Sequence, residues 1–323
     1  MILINLPAES SFFQWFFCFF ADFGEKMYPI AFHIGNFAVH WYGIFIGIGF
    51  LASFGLLMHL KQYAKLTSDQ IYNIAMIALF AGVIGARIFY VVQFWEQFSG
   101  RGLLAILNVH EGGLVFYGGF ILAFAAECLY AKWPTVRRLL GMKEKKPADG
   151  SEPRKDISIL ALLDILGPAM ALAHAFGRIS CFMQGCCFGK PAPQGFPFAV
   201  CFPPGSGAAA RYPSLLSSGS EPVYPVQLFE SAGNILMCVV LLLLLRKRKY
   251  AGTIGGVYLI LYGVMRFLIE FMRGDHTDSI LGLTPSQFIA VAIAIPGGVI
   301  VYLTARKLGR KQEKKTEEES ADA

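Results

Sequence analysis

The sequence predicts an all-α, polytopic membrane bundle of about seven transmembrane helices, with the N-terminus outside and the C-terminus in the cytoplasm. Three observations lead to this prediction. Hydrophobic residues make up 55% of the 323 residues and charged residues 15%, whereas soluble proteins carry roughly 25% charged residues. Several apolar runs reach the roughly 20 residues that a helix needs to cross a bilayer. Lys and Arg are also distributed unevenly between the segments that connect these runs.

Seven apolar segments have spanning length, and helices explain them best because only helices and closed barrels satisfy the backbone within lipid. The run from Val239 to Leu245 is uniformly apolar and lacks the alternation of barrel strands. The fourth segment is long and contains polar residues, so we expect its end to be broken or re-entrant. The predicted spans are 42–60, 71–93, 113–131, 157–184, 224–245, 252–272 and 285–305.

The segments that flank the predicted seven-helix domain (42–305) differ in character. Residues 1–41 are expected to form an exterior segment, in which the aromatic stretch 11–20 predicts a helix lying in the membrane interface. No basic region precedes this stretch, so a signal peptide is not expected. The charged residues 306–323 predict a disordered cytoplasmic tail.

The basic residues are sorted between the two sides of the membrane. One set of alternate connections, together with the C-terminal tail, carries 20 of the 28 Lys and Arg residues, and the opposite side carries 5. Because cytoplasmic loops are enriched in Lys and Arg, this bias sets the orientation stated above. The same sorting explains the net charge of +6, so we expect no nucleic-acid partner.

The predicted spans contain the remaining three basic residues, Arg87, Arg178 and Arg266. A charge at mid-bilayer costs at least about 2.5–3.5 kcal/mol on insertion scales, so these arginines need compensation. Glu270 follows Arg266 by four residues and therefore shares its helix face. Arg273 extends the same face outward. These spacings predict a polar stripe within the bundle.

Either carboxylates or a ligand can compensate these charges. In the structural explanation, each arginine pairs with a carboxylate or extends to the interface; the acidic candidates are Glu127, Asp164, Glu230 and Glu270. In the functional explanation, the three arginines share an anionic ligand, and the planar guanidinium suits bidentate binding of phosphate. We favour the second, which predicts a site for a phospholipid phosphate and leaves the reaction open.

Three cysteines, Cys181, Cys186 and Cys187, form a C-x4-CC cluster at the end of the fourth span. A zinc site takes four ligands, usually from paired Cys or Cys/His sets, and no second pair is present. A disulfide, for example with Cys201, and a reactive thiol near Arg178 are further alternatives. Small packing residues are the interpretation that we favour. We therefore expect neither a metal nor a cofactor.

Taken together, the motifs resemble the prolipoprotein diacylglyceryl transferase family over roughly residues 33–305. The motifs are HWYG (40–43), GARIFY (85–90), GGLVFYGG (112–119), Asp164 followed by GR (177–178), YPVQLFE (224–230), YGVMRFLIE (262–270) and TPSQ (284–287). The resemblance implies a multi-pass enzyme of the bacterial inner membrane. Such an enzyme moves diacylglyceryl from phosphatidylglycerol to the lipobox cysteine thiol of a prelipoprotein and releases glycerol 1-phosphate.

The resemblance also implies roles for individual residues. Arg178 and Arg266 correspond to the essential arginines of the family, Glu270 to the carboxylate after the second arginine, and Tyr42 to the tyrosine of the WYG motif. In the mechanism that we expect, Arg178 and Arg266 bind the phosphate, and Glu270 and Asp164 orient these arginines. Tyr117 completes the expected catalytic group. The residues expected to bind substrate are Tyr42, Arg87, Asp164, Cys181, Cys186, Gln227, Tyr262 and Arg273.

The chain departs from the family pattern near these residues. The family signature reads roughly GRxGNFxNxExxG, whereas residues 177–189 read GRISCFMQGCCFG, with Cys181 in place of Asn and Cys186 in place of Glu. Tyr117 replaces the family histidine that is taken to help activate the acceptor thiol. Deprotonation of that thiol is therefore assigned to Tyr117, His110 or His174, without a choice among them.

Two other functions are compatible with the same residues. A non-catalytic lipid binder or transporter would retain the cationic cavity without turnover. A membrane thiol-redox or metal protein would use Cys181, Cys186 and Cys187. The transferase is the function that we expect.

Overall fold

The computed structural model of the protein describes residues 29–35, 37–100, 102, 106, 113, 115–140, 155–193, 195–215, 219–275 and 283–321. Within them, two short antiparallel strands, β1 (Ile30–Ile34) and β2 (Phe37–His40), precede a series of helices. The helices are α1 (Trp41–Leu60), α2 (Ser68–Gln93), α3 (Trp95–Phe98), α4 (Phe116–Ala131), α5 (Trp133–Leu139), α6 (Ile159–Gln184), α7 (Gly207–Arg211), α8 (Val226–Arg246), α9 (Thr253–Glu270), α10 (Pro285–Ile289) and α11 (Ile295–Ala321). A π-helical turn, Ala290–Ala294, joins α10 to α11.

The helices confirm the predicted class of fold. Six are long and apolar enough to cross a membrane among the described residues, namely α1, α2, α6, α8, α9 and the continuous run from Pro285 to Lys311. The third predicted span, 113–131, corresponds to α4, an apolar helix of 16 residues that is shorter than the other six. The protein is therefore a helical, multi-pass membrane bundle with a small β-hairpin before α1.

Two predicted details of the helices are wrong. The fourth span is not broken or re-entrant, because α6 continues from Ile159 to Gln184 through Pro168; helices within membranes tolerate proline. The tail is not disordered, because α11 extends to Ala321. Lys249 pairs with Glu313 of this extension at 3.0 Å, and such a contact supports an ordered tail. The interfacial helix predicted at 11–20 lies outside the described residues.

Local sequence signals explain where two of the helices begin. Thr67 precedes α2 and accepts a hydrogen bond from the Gln70 backbone amide, while the Gln70 side chain accepts one from the Thr67 amide. Thr284 and Gln287 form the same reciprocal pair at the start of α10. This Thr-x-x-Gln capping box satisfies backbone donors that have no partner within the first turn.

The described chain divides into two compact units. In the unit Leu56–Ile165, α2 and α4 pack closely at glycines. A Cβ atom added at Gly85 would lie 2.5 Å from the Gly118 carbonyl oxygen, and one at Gly119 would lie 2.7 Å from the Gly82 carbonyl oxygen. Only glycine leaves room for so close an approach of the two helices. Small residues commonly have this role where helices pack within membranes. Gly85 of the GARIFY segment and Gly118 and Gly119 of the GGLVFYGG segment thus have a packing role.

The other unit comprises the described residues of Met1–Gly55 and Leu166–Ala323. The connection between α6 and α8 folds back on the end of α9, where Gly189 and Arg273 face each other in an antiparallel bridge. The Lys190 amide donates to the Met272 carbonyl at 2.8 Å on one side of this bridge. A hydrophobic cluster supports the connection: Phe182, Met183, Phe188, Val200, Phe202, Ala208 and Val223. The fold therefore fixes the segment after α6 beside the segment after α9.

Candidate active site

Three arginines converge on one buried carboxylate, Glu230, in the first turns of α8. Arg178 of α6 pairs with Glu230 through its Nε atom. Nη1 of Arg273, just after α9, lies 3.2 Å from Glu230 Oε1, and Nη1 of Arg266 lies 3.6 Å from the same oxygen. The Glu230 side chain is 2% exposed. Burying these charges is tolerable because each is paired.

Glu230 is the residue that sequence reasoning underestimated. It appeared among the acidic candidates, but the orientation of the arginines was assigned to Glu270 and Asp164. The signal that pointed to it was its place in the YPVQLFE motif at the start of a span. Its partners are distant in sequence, so helical spacing alone does not identify them.

Arg266 and Glu270 form the ion pair predicted from their spacing. Arg266 Nη1 lies 2.6 Å from Glu270 Oε2, and Arg266 Nη2 donates to Ser286 Oγ of α10 at 2.9 Å. Glu270 is fully buried at its side chain. The guanidinium of Arg266 is therefore held from two helices and has a fixed orientation.

Arg273 uses all of its nitrogens on carboxylates. Its Nε and Nη2 atoms donate to Asp275 at 3.0 and 2.6 Å, and Nη1 donates to Glu230 at 3.2 Å. These contacts favour a role in positioning Glu230. Direct binding of substrate by Arg273 stays a prediction.

Arg178 has a different pattern of contacts. Its Nε atom faces Glu230, and Nη1 and Nη2 make no hydrogen bond or ion pair with the residues that the structure describes. Its side chain remains 13% exposed. Two directed donors are thus available on a guanidinium that a buried carboxylate holds in place.

The formal charges of this site balance. The three guanidiniums face three carboxylates, those of Glu230, Glu270 and Asp275. Net positive charge therefore contributes little to the capture of an anion. Affinity for a phosphate would come instead from the preorganised guanidinium donors, since such charge-assisted hydrogen bonds are short and directional.

Other predicted site residues lie in the same unit. The His174 ring packs against the Tyr262 ring with centroids 5.2 Å apart. Gln227 is fully buried and donates from Nε2 to the Cys186 carbonyl at 2.8 Å. Tyr42, near the start of α1, is 43% exposed and lies within electrostatic range of Arg178. Their expected contacts with substrate stay predictions.

Cys181, Cys186 and Cys187, here called the thiol cluster, are brought together by the turn after α6. Their sulfur atoms all lie within 4.8 Å of one another, and all three are free thiols. The turn requires left-handed backbone conformations at Gly185 (φ 67°) and Cys187 (φ 57°). Hydrogen bonds from the Cys181 and Cys186 thiols lower the pKa of the Cys187 thiol, and Arg273 lowers it further.

The remaining predicted residues belong to the unit Leu56–Ile165. Arg87 donates from Nε to the Ile106 carbonyl at 2.7 Å and from Nη1 to the Gly113 carbonyl at 3.2 Å. Tyr117 is about half exposed, and Asp164 is fully buried. Their catalytic and substrate-binding roles stay predictions. His110 lies outside the described residues.

The fold and the site together define a class: a helical, multi-pass membrane protein with an arginine site suited to a phosphate group. Comparison with known proteins gives the family. The family model for prolipoprotein diacylglyceryl transferase matches residues 29–144 and 150–303. Because this match extends over most of the chain, the protein belongs to the prolipoprotein diacylglyceryl transferase family.

Curated relatives are similar over nearly their whole length. The chain is 30% identical over 271 residues to the phosphatidylglycerol–prolipoprotein diacylglyceryl transferase of Clostridium tetani, covering 84% of this chain and 95% of the relative. It is 31% identical over 287 residues to the enzyme of that name from Clostridium botulinum strain Langeland, covering 87% and 98%. These matches confirm the resemblance that the motifs indicated.

Proposed function

We propose that this protein transfers the diacylglyceryl group of phosphatidylglycerol to the lipobox cysteine thiol of a prolipoprotein and releases glycerol 1-phosphate. Membership of the family and the names of the relatives support both substrates. Six apolar helices of spanning length support a membrane location. The bacterial inner membrane, where a lipobox would meet phosphatidylglycerol, is part of the proposal.

The observation that supports this function most directly is the state of Arg178. Glu230 holds the guanidinium at Nε, and neither terminal nitrogen makes a hydrogen bond or ion pair with the described residues. A phosphate oxygen pair can accept from two such donors in parallel. Arg266, fixed by Glu270 and Ser286, supplies a second oriented cation beside Glu230.

This arrangement supports the following reaction. The lipid enters between helices, and Arg178 and Arg266 bind its phosphate. The acceptor thiolate attacks the glyceryl carbon, the carbon–oxygen bond to phosphate breaks, and the electron pair leaves on the phosphate oxygen. Donors that already point at this oxygen stabilise the developing charge without reorganising, which is the main source of electrostatic catalysis.

Purified protein incubated with phosphatidylglycerol and a lipobox peptide tests the proposal. The expected result is release of glycerol phosphate together with a gain of one diacylglyceryl group in the peptide mass. Lipid consumption with an unmodified peptide would indicate another acceptor. If folded protein bound the lipid without turnover, the result would indicate a non-catalytic lipid binder or transporter.

Arginine variants test the role of the phosphate site. Arg178→Ala and Arg266→Ala should each lower turnover by about 10²–10³-fold, measured per folded protein at a temperature where the variant stays folded. Arg306→Ala is the matched control, because Arg306 is exposed on α11 and contacts the Tyr302 ring. Normal turnover in both site variants would refute the phosphate role.

A further inference from the structure

The proposed reaction needs an acceptor thiolate, and the described residues of the arginine site offer no unpaired base to form one. Glu230 and Glu270 are both held in ion pairs with arginines. His174 is packed against the Tyr262 ring. The carboxylates of Glu230 and Glu270 each neutralise a buried guanidinium, and a buried cation needs such a partner.

The thiol cluster lies beside these arginines. Cys181 follows Arg178 by three residues, so the two side chains share one face of α6. Arg178 interacts electrostatically with Cys181 and Cys187, and Arg273 interacts with Cys187. A group bound at the thiol cluster would therefore stand next to a phosphate bound at Arg178.

The geometry of the thiol cluster suits a metal ion better than a disulfide. Every pair of sulfurs lies within 4.8 Å, and zinc–sulfur bonds of about 2.3 Å place sulfurs about 3.8 Å apart in a tetrahedral site. A contraction of about 1 Å would close the three sulfurs around one ion. A disulfide would use two of the sulfurs and leave the third without a role.

The backbone holds the turn in the form that makes the three sulfurs converge. Cys187 has a left-handed φ of 57°, a conformation that is unfavourable for a residue other than glycine. Gln227 fixes the turn by donating to the Cys186 carbonyl at 2.8 Å. Conformational strain of this kind persists where the surrounding structure enforces it, and it concentrates at functional sites.

The cluster has three ligands, and among the described residues no fourth His, Cys, Asp or Glu belongs to it. Structural zinc sites are closed by four protein ligands, whereas catalytic sites have three and leave one position for water or substrate. Three thiolates and one Zn²⁺ carry a net charge of −1. The neighbouring guanidiniums of Arg178 and Arg273 are placed to offset it.

We propose that Cys181, Cys186 and Cys187 bind a zinc ion whose fourth position takes the acceptor thiol of the transfer reaction. This inference rests on the proposed function. The acceptor S–H loses its proton to solvent when the sulfur coordinates, because a coordinating thiol is deprotonated. The sulfur then forms the bond to the glyceryl carbon as the carbon–oxygen bond breaks, and the metal keeps its oxidation state. The expectation of no metal, reached from sequence, is thereby replaced.

Metal binding is tested first, apart from turnover. The full-length protein, purified with reductant, should contain one zinc ion per chain by elemental analysis. Cys181→Ser, Cys186→Ser and Cys187→Ser should each lose most of it. Cys238→Ser is the control, since Cys238 is a buried free cysteine of α8 outside the cluster, and it should retain the ion. The proposal would be overturned if the wild-type protein contained no metal and could not bind added zinc. It would also be overturned if the wild-type protein contained a disulfide within the thiol cluster.

The role of the fourth position is tested with cobalt(II) as the probe. Cobalt-loaded wild-type protein should show the visible bands of tetrahedral sulfur coordination, and a lipobox peptide should shift them. The same peptide with serine in place of its cysteine should leave the bands unchanged. An identical response to both peptides would overturn thiol coordination. This measurement uses the wild-type protein, so it does not depend on whether the serine variants fold.

The activity assay separates failure of this inference from failure of the proposed function. Removal of zinc with a chelator should abolish diacylglyceryl transfer, and added zinc should restore it. Full activity of metal-free protein would overturn the zinc site and leave the transferase function intact. If the protein bound zinc and the peptide but transferred no diacylglyceryl group, the metal site would be supported and the proposed transferase function would be overturned.

Discussion

Arg178 and Glu230 form a buried ion pair that joins α6 to α8. Glu230 is also within ion-pair distance of Arg266 and Arg273, so one carboxylate serves three cations. Removing one partner of a buried pair leaves an uncompensated buried charge. The resulting loss of stability is much larger than the net stability that the intact pair contributes. Glu230 is therefore a structural element that also orients the guanidiniums of the arginine site.

Glu230→Gln should lower both stability and activity. Removing one negative charge leaves three guanidiniums against two carboxylates, and we expect the free energy of unfolding to fall by about 3–5 kcal/mol. Thermal unfolding in detergent measures the first effect, and glycerol phosphate release at a temperature where the variant is folded measures the second. Glu313→Gln is the matched control, because its pair with Lys249 is exposed and should contribute about 0–1 kcal/mol. Equal effects of the two substitutions would contradict the role assigned to Glu230.

Much of this architecture could be predicted from local patterns. Apolar runs of spanning length identify the membrane helices, because lipid permits few other structures. The pair formed by Arg266 and Glu270 follows from a four-residue spacing on one helix face. Charges left within the spans pointed to the arginine site, since each such charge is costly without a partner.

Features that depend on distant contacts could not be predicted in this way. Glu230 meets Arg178 and Arg273 only because α6, α8 and the end of α9 pack together, and no periodicity in the sequence encodes that arrangement. The saturation of Arg273 by Asp275 and Glu230 is likewise visible only in three dimensions. The same holds for the convergence of the three thiols, which depends on a left-handed residue at Cys187.

Close packing of α2 against α4 should make Gly85 intolerant of any side chain. The added methyl of Gly85→Ala would lie 2.5 Å from the Gly118 carbonyl oxygen and 2.6 Å from the Leu122 Cβ atom, and overpacking of this kind costs about 1–3 kcal/mol. Gly82→Ala is the control on the same helix, because nothing lies within 4 Å of its added Cβ atom. Thermal unfolding in detergent should show a lower midpoint for Gly85→Ala alone. A lower midpoint for both variants would point to helix flexibility instead of packing.

The short helix α5 should lose stability in acid through Asp156. The Thr135 hydroxyl donates to Asp156 at 2.7 Å and the Thr135 backbone amide donates at 3.2 Å, and the hydroxyl hydrogen bond is the main reason that the pKa of Asp156 is lowered. Because the folded pKa lies below the unfolded value of about 3.9, the stabilisation is present above that pH and is lost as the pH falls through the folded pKa. The hydrogen-exchange protection factors of the α5 amides, which correct for the intrinsic pH dependence of exchange, should therefore fall in acid.

Thr135→Val tests this assignment, since it removes the hydroxyl donor and keeps the shape of the side chain. In the variant, exchange of the α5 amides should already be faster near neutral pH and should change less on acidification. An unchanged pH dependence would show that another group controls the acid response of α5.

Tyr117 should act as a hydrogen-bond donor and not as the base. It stands in the FYGG segment that opens α4, and phenols are poor proton acceptors near neutral pH. Loss of one hydrogen bond to a charged group is worth about 1.5–3 kcal/mol, so Tyr117→Phe should lower kcat/KM by about ten- to a hundredfold. The pH dependence of kcat/KM should stay unchanged, because in this role Tyr117 donates a hydrogen bond and takes up no proton. Tyr72→Phe, at an exposed tyrosine of α2, is the matched control and should retain full activity.

Tyr117→His completes the test by placing an imidazole at this position. If the acceptor thiol is already deprotonated elsewhere, the imidazole adds no base that the reaction needs, and its charge change near about pH 6.5 should affect only phosphate binding. We therefore expect a change in KM with pH and little change in kcat. A rise in kcat that follows deprotonation of the new histidine would show instead that a base at this position limits the reaction, and would assign deprotonation of the thiol to residue 117.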